Sequence, residues 1–339
     1  MKRLLVAGVA VLALVASACG GGKTTSSQSP GSPTETAAGK TKVGMALPGP
    51  KNDGGFNQSN YQGMLEAEKD YPIQGTVIDN VVEPQARIDA LRNLAQAGNK
   101  LVIGIGAEFA AGGVSVAPQF PDTTFVVVNG QTSPDAPNLH VYGIRQGVPA
   151  YVAAVQGAEL SKTKKIGYIG GELIPPVTQA EDAFKAGAAA TDPSVQVFST
   201  VVGNFNDPVK AKAAASNQIA SGVDFIYGFV DAGITGVVQA IKGSGKPVDL
   251  VTIIIPMCDE LPTVVATATL NTPKFIASIV KDFLDNSIPA QPRYYGVEDP
   301  SIQTVELCPN FQSVDDLASI TTDTLNGIND GSITLPPGV

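Results

Sequence analysis

Between residues 42 and 128, short apolar runs bounded by polar turns alternate with longer stretches whose apolar residues recur every three or four positions. The runs at 42–47, 75–80, 101–105 and 124–128 read as strands, being too short for helices and rich in Val and Ile. The longer patterns predict helices over 58–69, 84–97 and, less regularly, 110–118, the second with its leucines and alanines on one face. Strand–helix–strand alternation of this kind predicts parallel strands joined by crossover helices. The same style resumes further on, with strands at 165–169, 195–201, 225–227 and 250–255 and helices at 176–190, 209–220 and 234–242. Asp207-Pro208 is a favourable helix start, aspartate as cap and proline in the first turn.

After Ile255 the pattern breaks at Pro256 and Pro262. It continues with a strand-like 263–270, an amphipathic helix over 273–284, a strand-like 303–307 and a last helix over 314–325. More elements remain than the edge of one lobe needs, so the chain is expected to return to the first lobe and finish in the second. The predicted fold class is α/β, two doubly wound Rossmann-like lobes with several hinge crossovers. Lobe 1 is expected over 42–145 plus roughly 260–307, and lobe 2 over 146–256 plus roughly 308–335. Several strands crossing between lobes make a hinge suited to closing on a ligand at the strand ends.

The start of the chain has a different character. Lys2 and Arg3 precede an apolar stretch over 4–15, then the small residues Ala16-Ser17-Ala18, then Cys19. The stretch is short for a membrane-spanning helix and reads as a signal peptide over 1–18. Cys19 at the cut supplies a thiolate that can take a lipid (diacylglycerol and palmitate), a pattern similar to a bacterial lipobox with Ala16 where leucine is commonest. Residues 19–41 are dominated by Gly, Ser, Thr, Ala and Pro, and are expected to form a flexible tether. This predicts a protein on the extracytoplasmic face of the cell membrane, held by lipid on Cys19. Ordinary secretion is the bland alternative.

The formal net charge is −9, and removing Lys2 and Arg3 with the leader leaves −11. Nucleic acid is therefore a poor partner. His140 is the only histidine, so zinc sites built on several histidines are excluded; no cofactor or metal is expected. With Cys19 lipidated, Cys258 and Cys308 remain as an even pair in a disulfide-permitting compartment. A bridge closing a loop of about 50 residues contributes roughly 4 kcal/mol. The alternative is two buried free thiols.

Candidate chemistry sits where the first strand meets the first helix. Asn52-Asp53-Gly54-Gly55-Phe56-Asn57 offers close backbone approach, one aromatic face, and polar groups on Asn52, Asp53 and Asn57. The same letters also describe an ordinary turn with a helix cap.

In context, Val43-Gly44-Met45, Asp53, Phe56-Asn57-Gln58-Ser59 and Gly63 resemble the opening of the basic membrane protein family. The likeness continues at Gly104 to Glu108, Pro121-Asp122-Thr123-Thr124-Phe125, Ile166-Gly167-Tyr168-Ile169-Gly170-Gly171, Gly203-Asn204-Phe205-Asn206-Asp207-Pro208 and Ala232-Gly233-Ile234-Thr235-Gly236. The resemblance implies a type I periplasmic-binding fold, lipid anchoring, a nucleoside-like ligand and an ABC permease as partner. It also implies stacking by Phe56 and Phe205 from the two lobes, with polar contacts from Asp53 and Asn57. Glu108 and Asp231 follow strands and face the expected cleft, as does the loop at Gly233. Where the family offers an aspartate and a lysine for a ribose, this chain reads Ile253-Ile254-Ile255-Pro256-Met257-Cys258 and Thr269-Leu270-Asn271-Thr272. Leu270 takes the lysine's place, and Asp259 is the nearest substitute for the aspartate. The expected function is solute capture rather than catalysis, in a protein that is not an enzyme. The alternatives are sensing for a membrane signalling partner, and a hydrolase using carboxylates such as Asp53 and Glu108.

Overall fold

The computed structural model describes residues 39–314 and 316–338; the leader, Cys19 and most of the tether lie outside them. Two six-stranded sheets are present among the described residues. The first is built from β1 (Thr41–Ala46), β2 (Ile73–Ile78), β3 (Leu101–Gly104), β4 (Thr124–Val128), β5 (Leu139–Ile144) and a three-residue β11 (Arg293–Tyr295). Their order is β11-β5-β4-β3-β1-β2, parallel throughout. The second contains β6 (Lys165–Gly170), β7 (Gln196–Val201), β8 (Phe225–Phe229), β9 (Asp249–Ile253), β10 (Val264–Leu270) and β12 (Gln303–Leu307). Its order is β12-β10-β9-β8-β6-β7, with β12 alone antiparallel.

Each sheet is covered on both faces, which is why its central strands read as unbroken apolar runs. On the first, α1 (Phe56–Asp70) and α8 (Thr272–Leu284) bury Val43, Met45, Ile103 and Val126 on one side. On the other, α2 (Pro84–Gln96) and α3 (Ala110–Val116) cover Val102, Phe125 and Val127. In the second lobe α4 (Gly147–Leu160), α5 (Pro175–Thr191) and α9 (Leu317–Asn329) pack around Ile166, Tyr168 and Tyr227. Opposite them α6 (Pro208–Ala220) and α7 (Ile234–Ser244) cover Ile226 and Leu250.

Residues Asn138-Leu139-His140-Val141-Tyr142 read in sequence as the short strand that β5 is, whereas α4 and β11 escape the sequence pattern. In α4, twelve of fourteen residues are buried, so it shows no polar face and no period. The edge strand β11 is too short to produce alternation.

The return segment divides differently from expectation. Both β10 and β12 belong to the second sheet, not to lobe 1; only α8 and β11 go back to the first. Pro256 and Pro262 mark a loop rather than the crossing, because β10 pairs in parallel with β9, Thr252 opposite Thr267 and their hydroxyls 3.0 Å apart. The chain therefore crosses after β5, after β10 and after β11. Arg145 and Glu298, from the first and third crossings, form an exposed ion pair at 2.8 Å, worth about 0–1 kcal/mol.

The bridge between Cys258 and Cys308 is formed, with their Cα atoms 5.5 Å apart. It ties the loop after β9 to the end of β12. His140, on β5, meets the carbonyl of Pro289 through Nδ1 at 3.2 Å, a structural placement. No helix among the described residues is long and apolar enough to cross a membrane.

Candidate ligand-binding site

In both sheets the strand order reverses beside the first strand of the lobe, between β1 and β3 and between β6 and β8. Helices leave in opposite directions at such a point, so the loops beyond the strand ends part and leave a crevice. The loops after β1, β3, β6, β8 and β9 converge there on a cavity of about 270 Å³. Phe56, Asn57 and Glu108 of the first lobe and Phe205 and Asp231 of the second all border it.

The loop after β1 is organised by Asp53 and Asn57. Asp53 Oδ1 accepts from the amides of Gly55 (2.9 Å) and Gln58 (3.0 Å), and Oδ2 from the Asn57 amide (3.2 Å) and Asn57 Nδ2 (2.7 Å). Its carboxylate thus answers the free N–H groups at the start of α1. Asn57 Oδ1 accepts from the Gly49 amide at 3.0 Å. Asn57 therefore borders the cavity with its side chain engaged by the protein itself. Asp53 is not in the cavity wall, and Asn52 lies exposed on the turn.

One donor at this helix start is satisfied from the other lobe. The Phe56 amide donates to Asp231 Oδ1 at 2.8 Å. Gly55 is required for this approach, since a Cβ there would lie 2.0 Å from that same oxygen. Asp231 is 5% exposed, and burial, then repulsion from Asp53, push its carboxyl up to about 8 against the lowering effect of the Phe56 N–H. Asp53 and Asp231 thus share one helix terminus across the lobe boundary.

Phe205 is half-buried and stands edge-on to Phe229, with ring centres 6.3 Å apart. Its carbonyl accepts from the amides of Asp231 (3.1 Å) and Gly233 (3.0 Å). Gly233 therefore shapes the loop beneath Phe205 and is not part of the wall.

Other wall residues are drawn together only by the fold. Glu172 comes from the loop after β6, Arg87 from the first turn of α2, and Asn204 and Asn206 flank Phe205. The asparagines lie inside a motif already conspicuous in sequence, whereas nothing in sequence marks Arg87 or Glu172. Burial raises the Glu108 carboxyl above its ordinary range; Glu172 raises it further, while its own backbone N–H and Arg87 oppose. Past β9 the wall is apolar, made by Ile253 and Ile254. Ile254 holds a positive φ of 60°, strained for a β-branched residue by about 1–3 kcal/mol. Its amide is fixed to the Ala268 carbonyl at 2.8 Å. Asp259 is exposed and outside the wall, so it does not stand in for the aspartate that the resemblance implies, and Leu270 packs into the first lobe's core. No cluster able to hold a metal occurs among the described residues.

Comparison with known proteins agrees with this arrangement. Residues 40–333 match the family described as ABC transporter substrate-binding protein PnrA-like. A purine-binding protein of Brucella abortus is 29% identical over 304 residues, covering 87% of this chain and 82% of that protein. The nucleoside-binding protein BmpA of Lactococcus lactis is 29% identical over 60% of this chain and 59% of its own length. Among solved structures, an ABC transporter solute-binding protein of Aeropyrum pernix superposes with a TM-score of 0.76 at 17% identity, over 88% of this chain and 94% of that one. At that identity the likeness shows the fold, two α/β lobes of the type I periplasmic-binding kind.

Proposed function

The chain belongs to the PnrA-like family of ABC transporter substrate-binding proteins, and from that membership we propose that it captures a purine nucleoside or purine base between its lobes and hands it to a membrane permease. The observation that carries this reading is the cavity with Phe56 on one lobe and Phe205 on the other. Two rings contributed by the two lobes suit a flat heterocycle, each stack adding about 0.5–1.5 kcal/mol beyond area burial. The ligand bridges both lobes and favours the shut form by its differential affinity. The functional set is Phe56, Phe205, Asn57, Glu108 and Asp231, with Asp53 and Gly233 holding the loops in place. Relatives described as purine-binding and nucleoside-binding support the ligand class. The wall of Ile253 and Ile254 supports a ligand with few hydroxyls on that side, because a buried hydroxyl without a partner costs about 1–3 kcal/mol.

A thermal-shift screen across nucleosides, bases, sugars and amino acids tests this. A purine at a hundredfold its Kd stabilises by about 2.7 kcal/mol, raising Tm by roughly 5–10 °C. Shifts only with sugars or amino acids, and none with purines, defeat it.

The chain's anchoring belongs to the same proposal. Cys19, outside the described residues, carries the lipid that keeps the binding lobes at the extracytoplasmic face near the permease. Cys19→Ala is expected to move the protein from the membrane fraction to the soluble fraction with ligand affinity unchanged. A variant that stays with the membrane contradicts the lipid anchor.

A further inference from the structure

We propose that the ligand presents an exocyclic amino group to a pair of opposed carboxylates, Glu108 of the first lobe and Glu172 of the second, so that the site selects amino-purines over their deaminated counterparts. The inference rests on the purine reading above and narrows it. Both side chains border the cavity, one from the loop after β3 and the other from the loop after β6. Those loops flank the crevice on opposite sides of the lobe boundary. Among the described residues, neither carboxylate is hydrogen-bonded or ion-paired to another residue's side chain. Glu108 sits close over Gly106, whose φ of 106° and absent Cβ make the room: a Cβ there would lie 2.2 Å from Glu108 Oε2.

The chemistry follows from what a carboxylate can do. An ionised carboxylate only accepts, so whatever fills the space between two of them has to donate. A purine amino group carries two N–H donors diverging at about 120°, a geometry that serves an acceptor on either side. A ring N–H beside an amino group serves the two oxygens of a single carboxylate equally well. A carbonyl at the same position sets acceptor against acceptor in a space shielded from water, which is the stronger form of rejection. Phosphorylated ligands meet three carboxyl groups in the wall, Glu108, Glu172 and Asp231, against one guanidinium, Arg87. Arg87 Nε already donates to the Val81 carbonyl at 3.2 Å. Glu172 is among the groups that raise the Glu108 carboxyl, as nearness across the cavity requires. Donors placed between them relieve that repulsion.

Calorimetric titration of the purified protein with adenosine, guanosine and inosine tests this, alongside Glu108→Gln and Glu172→Gln. Glutamine keeps the size and one acceptor while removing the charge. Charge-assisted hydrogen bonds of this kind correspond to about tenfold to a hundredfold in Kd. The wild type is expected to bind adenosine or guanosine at least tenfold more tightly than inosine. Each variant is expected to shrink that preference several-fold while still binding inosine. Inosine binding within threefold of both amino-nucleosides overturns the inference and leaves the purine reading standing. A preference that survives intact in both variants overturns it as well. Binding of none of the three ends the purine reading and this inference with it.

Discussion

Phe56→Ala is expected to weaken capture of a purine ligand by one to two orders of magnitude. The ring is half-buried and lies both against the first lobe's core and on the cavity wall. Losing it removes a stacking contribution of about 0.5–1.5 kcal/mol and the burial of one aromatic face, together about 2–3 kcal/mol. The backbone amide that reaches Asp231 is retained, so the lobe contact survives the substitution. Titration calorimetry with the same ligand, beside Phe56→Tyr as a ring-preserving control, reads the effect. Equal affinity in Phe56→Ala and wild type removes this ring from the site. Phe205→Ala is expected to act in the same direction, its ring packing on Phe229 as the Phe56 ring packs on the first lobe's core.

The second large effect is a pH dependence centred on Asp231. Its carboxyl is raised from the ordinary 3.8 to about 8 by burial first and by Asp53 next, with Glu108 a further repulsive neighbour. A carboxyl whose folded-state value lies above its unfolded value favours the protonated folded form. No penalty exists below about 3.8; the penalty grows as pH rises through the window and is complete above about 8. Asp231→Asn keeps an acceptor for the Phe56 amide and gives Asp53 a neutral neighbour. The variant is expected to melt at the same temperature as wild type near pH 4. By pH 8 it should gain on the order of 2–3 kcal/mol, about half of what the full shift corresponds to, or roughly 5–10 °C in Tm. Melting curves for both proteins between pH 4 and 9 check this. Parallel curves contradict the proposed burden on Asp231.

Much of the architecture was legible because the strands are covered on both faces. Stretches such as Thr124–Val128 and Lys165–Gly170 read as apolar runs with helices between them. The same physics hid α4, which is buried on nearly every side and so lacks the polar face that a period requires. The allocation of β10 failed for a different reason. Two prolines punctuate the chain before it, and punctuation marks a loop without saying which sheet the next strand joins.

The site was legible where chemistry and punctuation coincide in one short stretch. Phe56 and Asn57 open α1 behind a polar, glycine-bearing turn, Phe205 lies in a polar loop after Gly203, and the structure brings all three to one cavity. Of the other expected ligand contacts, Asn52 is exposed on its turn and the Asp53 oxygens are engaged by the helix start, so neither borders the cavity. Arg87 and Glu172 had no local signal, and Ile254 was conspicuous only as part of a stretch that lacks an expected aspartate. Each is a single residue whose neighbours across the cavity come from distant parts of the chain. The positive φ of Ile254 in particular is imposed by pairing after β9, which no residue type at that position advertises.

The central claim is that a flat ligand is held between the two lobes by Phe56 and Phe205. The electron density of the protein crystallised with a purine that stabilises it in the thermal screen tests this most directly. The account predicts the base lying between the two rings, within stacking distance of both. Density for the ligand on an outer face of either lobe, with the cleft empty, contradicts it.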